Sequence, residues 1–581
     1  MTPLEELRHS TAHVMATAVL RLFPDAKLDI GPPTDTGFYY DFDLEHRFTT
    51  EDLEAIEAEM KKIIGEDQEF IRKEVSREEA EAFFKEIDQP YKVSRLGDIP
   101  EGEPITQYVN GEFTDLCAGT HVQSTGRIKA YKLLNIAGAY HRGDVKNKQL
   151  QRIYGTAFPD RAQLKKYLQQ LEEAKKRDHR RLGQELKLFK VDSFVGSGLP
   201  ILLPNGGVIR YQLERLINDK LDRYEYSRVY TPHIGSIDLY KTSGHWPYYS
   251  ESIYDPIKIE DREFLLKPMN CPMHMAAFVS EPRSYRDLPQ RYAEFGTVYR
   301  QEQSGELLGL TRVRGFTQDD AHIFCTVDQL KEEFNGCLGF IHEIMEAFGL
   351  TATCRVSLRD PQNKDKYVGD DALWQKAETC IREVVEEQAI EHTVGLGESA
   401  FYGPKLDFMA MDSLGRQWQL GTIQVDFSLP EKFGLEFKGT DGAGHRPVMI
   451  HRAIFGSIER FMGLLIEHFA GAFPVWLAPE QARLMPITDS QMEYCENVLR
   501  KLKDRNIRAS IDRHPDKIGA KIRRARLDRV PYLLVVGEKE VEAGAIAVRS
   551  RHKGEEGAIP VDTLVNRIDE ESRERVLTVS S

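Results

Sequence analysis

A chain of 581 residues, 41% hydrophobic and 29% charged, has the composition of a water-soluble protein long enough for three or four domains with cores of their own. No apolar run is long enough to span a bilayer, and the opening MTPLEELRHSTAHVMA lacks a basic stretch leading into a hydrophobic one, so neither a membrane anchor nor a secretory signal is expected and the expected location is cytoplasmic. Seven scattered cysteines, an odd number, argue for a reducing compartment and against a disulfide scaffold, while a net charge of −14 weakly opposes nucleic-acid binding but leaves room for a local basic patch.

Residues 1–160 form a first unit. Leu4 to Phe23 has apolar residues at helical spacing, and His9 and His13, four apart, share one face. IGPPTDTGFYYDFD supplies turns and a strand, and FTDLCAGTH brings Asp115, Cys117 and His121. Two helix histidines satisfied by hydrogen bonds are one reading. The later CxxxH favours another, a polar cleft with the donors of a zinc site. Residues 161–188, RAQLKKYLQQLEEAKKRDHRRLGQELKL, read as one long linker helix with a narrow apolar stripe of Leu164, Leu168, Leu171 and Ala174. Its basic run from Lys175 to Arg181 is either a solvated face or an RNA contact.

Residues 189–474 read as many short strands in mixed order, which predicts an antiparallel sheet with flanking helices; no GxGxxG or Walker A pattern sits at a strand-to-helix junction. Gly206–Tyr226 is an amphipathic helix, followed by a strand over Arg228–Pro232. Tyr292–Arg300 alternates as a strand, Glu302–Gly309 is a loop, and Leu310–Phe316 is a second strand carrying Arg312 and Arg314. Arginines on facing strands make a cradle for a phosphate ester, because guanidinium is planar, always charged and binds oxygens bidentately; surface charges on an edge hairpin are the other reading. Cys271 stands in a Pro-bounded turn, in KPMNCPMH, where it also forms a CxxxH pair with His274. His322 follows an acidic pair on a strand, and His451, in RPVMIHRAIFGSIERF, begins a helix. Cysteine and two histidines suit zinc, and three protein ligands leave a fourth position open. Residues 475–581 alternate strands and helices, at Ser490–Leu502, Ile507–Asp512, Lys517–Leu527 and Pro531–Gly537, which predicts a small mixed α/β domain whose basic segment KIGAKIRRARLDR favours RNA.

These stretches meet a family. Arg291–Phe316 resembles motif 2 of the class II aminoacyl-tRNA synthetases, Arg446–Phe461 resembles motif 3, and Tyr230-Thr231-Pro232 resembles motif 1. With Cys271, His322 and His451 the chain resembles the threonyl-tRNA synthetases over nearly its whole length. The resemblance implies an α+β multidomain protein: an N-terminal α+β editing domain (1–160), a linker helix (161–188), a class II catalytic domain with an antiparallel sheet flanked by helices (189–474), and a C-terminal α/β anticodon-binding domain (475–581). Longer family members begin with a small ubiquitin-like domain. This sequence reaches His9 almost at once, so the bacterial type without that domain is expected.

By the same resemblance Zn²⁺ on Cys271, His322 and His451 takes the amino group and hydroxyl of L-threonine. Arg300 holds the α-phosphate and the amino-acid carboxylate. Glu302 faces the adenine amino group, Phe316 stacks on the ring, and Arg312 and Arg460 bind the outer phosphates of ATP. Gln419 places Mg²⁺. Asp320, Tyr402, Gln424 and Met269 line the threonine pocket with Gln318 and Lys405, and His245 stands by the terminal ribose of tRNA(Thr). His9, His13, Lys92, Asp115, Cys117 and His121 form the editing cleft, which in this family hydrolyses serine from mischarged tRNA without a tightly held metal. Glu540 and Arg549 match anticodon contacts, whereas Pro515 stands where a relative has asparagine. The motif 1 region implies a homodimer.

A hydroxyl-coordinating site rejects valine by roughly 10⁴-fold or more, but serine lacks only a methyl, worth about 1–3 kcal/mol. A synthetic site of this kind therefore needs a second, hydrolytic one. Two alternatives stand beside this expectation: a class II synthetase for proline or serine, against which the Cys-His-His set and the first unit argue, and a non-catalytic tRNA-binding paralogue, against which the surviving motif arginines argue.

Overall fold

The computed structural model describes residues 1–144, 146–248, 250–367, 370–412 and 415–577, and its contacts divide the chain into two units, Met1–Glu172 and Glu173–Ser581.

In the first unit, helix α1 (Pro3–Leu22) starts on a capping box in which Thr2 and Glu5 exchange side-chain-to-backbone hydrogen bonds, with proline in the first turn. Every residue from Leu7 to Val19 is buried, so its two histidines lie inside the unit. Strand β1 (Gly37–Asp43) and helix α2 (Thr50–Gly65) pack against it. There follow β2 (Ile71–Val75), α3 (Pro90–Leu96), which carries Lys92, β3 (Ile105–Asn110) and β4 (Phe113–Leu116), which carries Asp115. Strands β5 (Ala130–Tyr140) and β6 (Gln149–Phe158) complete the larger antiparallel sheet in the order β1–β6–β5, while β2–β3–β4 form a smaller one.

The expected single helix over 161–188 is two helices, α4 (Arg161–Arg177) and α5 (His179–Glu185). Asp178 ends the first by capping the second: its carboxylate accepts the Arg180 N–H at 2.8 Å. A short acidic side chain that reaches its own backbone two residues on favours a cap over a helix interior.

The second unit is built on an eight-stranded sheet. In chain order its elements are helix α6 (Pro204–Arg223), β7 (Ser227–Arg228), helix α7 (Cys271–Phe278), β8 (Gln290–Tyr299), β9 (Gly315–Cys325), helix α8 (Leu330–Ala347), β10 (Thr351–Leu358), β11 (His392–Leu396), β12 (Lys405–Met411), β13 (Gln417–Asp426), β14 (Val448–Ala453) and helix α9 (Ile458–His468). The strand order is β7–β8–β9–β14–β13–β12–β10–β11, antiparallel except for the two outermost pairs. One face is apolar: Ala321, Ile323, Ile423, Val425 and Ile450 join α6, α8 and α9 in the largest core. Because side chains alternate along a strand, the intervening residues line the opposite face, and the register aligns them in rows. One row runs Tyr292, His322, His451, Gln424, Lys405; the next runs Glu294, Asp320, Ala453, Thr422, Asp407.

Four local expectations are corrected. Leu310–Phe316 is not a strand of its own: only Gly315 and Phe316 are in one, as the start of β9, and Arg312 and Arg314 lie in the loop before it, where Arg314 donates to the Glu302 carbonyl. His451 sits within β14, and the helix begins at Ile458, capped by Ser457. Cys271 is the first residue of α7 rather than part of a free turn. Of Arg228–Pro232 only Arg228 is in a strand, paired in parallel with β8.

The last part of the chain has its own core around Leu484, Val498, Leu534 and Ile546. It comprises β15 (Ala482–Pro486), α10 (Met492–Asp504), β16 (Ala509–Ile511), α11 (Ile518–Leu527), β17 (Tyr532–Val536), β18 (Ala545–Ser550), β19 (Gly554–Pro560) and α12 (Val561–Arg573). The sheet order β16–β15–β17–β18–β19 is parallel at first and antiparallel at the end.

Candidate functional site

The polar face of the large sheet brings three donors together. One atom each from Cys271, His322 and His451 lies within 4.8 Å of the others. His322 Nε2 and His451 Nδ1 are 3.0 Å apart. On its other nitrogen His451 faces Asp426, with Nε2 2.9 Å from Oδ2. His322 Nδ1 is 2.8 Å from Nδ1 of His274, whose Nε2 is 3.0 Å from Glu294 Oε1. Carboxylates only accept, so the protons belong on the outward nitrogens and bare lone pairs converge between the two rings. Burial and the neighbouring histidines hold His322 well below its ordinary range, and burial raises the Cys271 thiol well above its own. Converging lone pairs beside a buried thiol that only a cation would ionise are a donor set that fits zinc.

Around this point stand the other residues of the face. Asp320 Oδ2 accepts from Asn270 Nδ2 at 2.9 Å. Gly296 makes this approach feasible, since a Cβ there would come within 2.4 Å of the same amide nitrogen. The Tyr402 ring lies 5.8 Å from that of His451. Gln424 is buried with its Nε2 lacking a hydrogen-bond partner. Lys405 Nζ is 2.8 Å from Asp407, which also accepts from Gln419 at 3.1 Å, Thr422 at 3.0 Å and Ser357 at 3.2 Å. Asp407, fully buried, is thus the hub that orders Lys405 and Gln419, and no sequence pattern marked it. His245 Nδ1 is 2.7 Å from Ser243 Oγ, whose own proton goes to the Tyr240 carbonyl. The imidazole therefore donates from Nδ1 and keeps a lone pair on Nε2. Burial, then the charges of His451, Lys432 and Arg300, bring its pKa down to about 4.

The arginines gather at the end of β8. Arg300 lies over the Phe316 ring, 5.1 Å from its centroid, with Nη2 3.5 Å from Met269 Sδ. Arg312 pairs with Glu302 at 3.0 Å and with Glu306 at 3.2 Å. Burial and the positive charge of Arg312 lower the pKa of Arg460, whose Nε has no partner. Two guanidinium groups close enough to repel can accept an anion between them. Gln318 extends the row beyond Asp320 on β9.

In the first unit, donor atoms of His9, His13, Cys117 and His121 also lie within 4.8 Å of one another. Cys117 Sγ is 3.4 Å from His9 Nε2 and 3.3 Å from His121 Nε2, and His13 Nε2 is 3.5 Å from Asp115. Lys92 is ion-paired with Asp115 and lies 2.9 Å from the hydroxyl of Tyr40, which donates to Asp115 at 2.5 Å. Ser10 Oγ gives its proton to the Glu6 carbonyl and so accepts from His121 Nδ1, which turns the Nε2 lone pair toward Cys117. Burial, followed by the other two histidines, holds His121 far below its ordinary range, and burial pushes the Cys117 thiol up to about 12. Neutral imidazoles beside a buried ammonium can orient a water and stabilise a developing oxyanion. Tyr40 and Ser10 escaped the sequence reading because a tyrosine in a strand and a serine in a helix look like packing residues until their partners are seen.

A third group, Asp178, His179 and Glu467, is closed to any ligand. His179 Nδ1 donates to Glu467 at 2.7 Å and its Nε2 accepts the Leu310 N–H at 3.1 Å. In the last part of the chain, Glu540 caps its own helix by accepting the Gly537 N–H, and Arg549 pairs with Glu555 across β18 and β19.

An antiparallel sheet whose strand–loop–strand carries Arg300 and Arg312, followed by a capped helix carrying Arg460, defines the class II aminoacyl-tRNA synthetases. The family described as "tRNA synthetase class II core domain (G, H, P, S and T)" matches residues 254–469, "Anticodon binding domain" matches 481–571, and "Threonyl and Alanyl tRNA synthetase second additional domain" matches 105–154. The threonine–tRNA ligase of Thermus thermophilus is 52% identical over 98% of this chain and 89% of its own, and that of Chloroherpeton thalassium 50% identical over 96% and 86%. Among solved structures, the RNA binding domain of threonyl-tRNA synthetase from Cryptosporidium parvum superimposes with a TM-score of 0.65 at 39% identity, over 68% of this chain and 98% of that one. The chain belongs to the threonine–tRNA ligase family.

Proposed function

We propose that this chain joins L-threonine to tRNA(Thr) at the expense of ATP, and that its first unit hydrolyses Ser-tRNA(Thr). The observation that carries the synthetic reading is one sheet face on which His322 and His451, met by Cys271 from the start of α7, stand in register with Gln424 and Lys405 and next to Asp320. Cys271, His322 and His451 would hold a zinc ion, which would supply a Lewis acid toward the amino group and hydroxyl of threonine. Asp320 accepts that hydroxyl's hydrogen bond, and Tyr402, Gln424 and Met269 enclose the side chain. Arg300 draws the amino-acid carboxylate against the α-phosphate of ATP, Arg312 and Arg460 hold the outer phosphates, and Gln419 would help place Mg²⁺. Glu302 and Phe316 bind the adenine, which requires the carboxylate of Glu302 to leave Arg312. In-line attack then releases pyrophosphate. The terminal ribose hydroxyl of tRNA attacks the adenylate, giving its proton toward Nε2 of neutral His245, and AMP leaves while Gln318 and Lys405 hold the reacting carbonyl and phosphate. Positioning and charge stabilisation dominate.

The domain reading is 1–160 for editing, 161–188 as linker, 189–474 for synthesis and 475–581 for the anticodon, with Glu540 and Arg549 at the last. A homodimer is supported by exposed aromatic and aliphatic side chains on α6 and on either side of it: Phe194 is 97% and Tyr230 88% exposed, with Ile201, Tyr211 and Ile234 also uncovered. The location proposed is the cytoplasm, and among the described residues no helix is long and apolar enough to cross a membrane. Amino-acid-dependent exchange of pyrophosphate into ATP tests the proposal. Strong exchange with threonine, weaker with serine and negligible with valine is expected; exchange driven best by proline or serine, or by no amino acid, overturns it.

A further inference from the structure

His274 is fully buried, one turn after Cys271, and forms a CxxxH pair with it, yet the two do not act together. It turns its ring away from the donor set and stands behind His322. Its Nδ1 meets His322 Nδ1 at 2.8 Å, and its Nε2 meets Glu294 Oε1 at 3.0 Å. Glu294 is itself gripped: Oε1 accepts the Thr231 hydroxyl at 2.7 Å, Oε2 accepts the Thr231 N–H at 3.0 Å, and Lys267 Nζ lies 3.8 Å away while donating to Thr231 Oγ1. A carboxylate that already accepts two such bonds offers only lone pairs, so His274 must donate from Nε2. With one proton per ring its Nδ1 is then an acceptor, His322 must donate to it from Nδ1, and the bare lone pair of His322 is forced onto Nε2, the nitrogen that faces His451 and Cys271.

We propose that His274 and Glu294 are positioning residues for the metal: a histidine-to-carboxylate relay, anchored on Thr231 at the end of motif 1, that fixes the tautomer and ring plane of His322. An outer partner of a ligating histidine is commonly a carboxylate or a carbonyl in direct contact. Here a second imidazole is interposed, which carries the carboxylate's influence across one further ring. His451 has the direct arrangement, with Asp426 on its Nε2. The two ligands are thus oriented by different devices, and only the one on His322 reaches the motif 1 segment. Thr231 adjoins exposed Tyr230, so the relay ties metal affinity to the order of that segment.

The inference rests on Cys271, His322 and His451 being a zinc set, and its test separates the two. Zinc affinity is measured on the full-length protein by competition with a chromophoric chelator, and ligand geometry by the absorption of the cobalt-substituted protein. His274→Leu, which removes both bonds of the relay, should weaken zinc binding on the order of 10- to 100-fold and change the cobalt spectrum. His274→Gln, whose amide can accept from His322 and donate to Glu294, should recover most of the affinity. Glu294→Gln should cost severalfold and serves where the leucine variant does not fold. Parental affinity and spectrum in His274→Leu, or equal losses in the leucine and glutamine variants that merely follow a lowered melting temperature of the metal-free protein, overturn the relay. A parental protein that binds no zinc overturns the donor set itself.

Discussion

His245 shows how a single hydrogen bond decides what a residue can do. The Ser243 hydroxyl spends its proton on a carbonyl, so the imidazole must donate to it and keep the other nitrogen unprotonated. Its pKa near 4 means that protonation, not deprotonation, is the rare event at neutral pH. A lowered histidine pKa keeps the neutral form in place from alkaline pH down through the ordinary value of about 6.5 and loses it only near 4. Single-turnover transfer from a preformed adenylate to tRNA should therefore show no inflection between pH 6 and 7 attributable to this residue; an inflection there that His245→Asn abolishes contradicts the assignment. Asp319 makes the complementary point about stability. Fully buried, it accepts the Ile454 and Phe455 N–H groups, each at 2.9 Å, and pairs with Arg452 at 3.3 Å, fastening β9 to the turn that leads into the helix of Arg460. Asp319→Ala strands a buried guanidinium and two amides and should destabilise the second unit by about 3–5 kcal/mol, read as a lowered melting temperature, with Asp319→Asn less affected. Residues whose chemistry is carried by their type, such as the cysteine and histidines of both clusters, were legible in the sequence. Asp407, His274, Tyr40 and Ser10 were not, because their roles lie in their partners.

At the level of elements, alternation made β8 readable, left β10 to β13 as no more than unplaced short strands, and failed at the loop before β9. Leu310 and Val313 imitate a strand leading into Phe316, but Gly309 adopts a positive φ of 51° and Leu308 pairs with Arg312 across a tight turn. The reason for that turn lies far off in the chain. The Leu310 N–H is held by His179 in the short helix after Asp178, and His179 is held by Glu467 at the end of the helix of Arg460. A Cβ on residue 309 would come within 2.1 Å of that imidazole. The arginine loop is thus pinned at its base to the helix that carries the second arginine, a contact no local pattern announces. Losing it leaves a buried N–H unpaired, which costs about 1–3 kcal/mol. His179→Ala should therefore raise the KM for ATP on the order of tenfold in pyrophosphate exchange, with kcat and the KM for threonine changed much less. A fall in kcat with both KM values unaltered would place His179 outside the ordering of the loop. The broken helix at Asp178 was likewise invisible to periodicity, since a single capping residue outweighed an otherwise continuous helical pattern.

The molecule as a whole answers a discrimination that one pocket cannot make. A site that pairs with a hydroxyl leaves its polar groups unmatched when valine enters, so valine is refused; serine satisfies every polar group and forfeits only the contacts of a methyl, worth about 1–3 kcal/mol or roughly 10–200-fold. Errors of that size must be removed after transfer, and the cluster in the first unit has the means. His9, His13 and His121 are neutral inside a buried pocket, and an ammonium beside them is neutralised by Asp115. Because α1 is buried along its length, the two histidines can be shortened without opening a surface, although filling with water will lower the stability of the first unit somewhat. The doubly substituted His9→Ala, His13→Ala protein should charge tRNA(Thr) with threonine at close to the parental rate, since neither residue lies in the unit that holds the sheet and its arginines. Offered serine, the same protein should accumulate Ser-tRNA(Thr) that the parent clears, and added parental protein should clear it. Preformed Ser-tRNA(Thr) incubated with each protein measures this directly. Deacylation by the double variant at the parental rate would remove the cluster from the hydrolytic role, and loss of threonine charging in parallel with deacylation would mean that the substitutions had disturbed more than the cleft in which they lie.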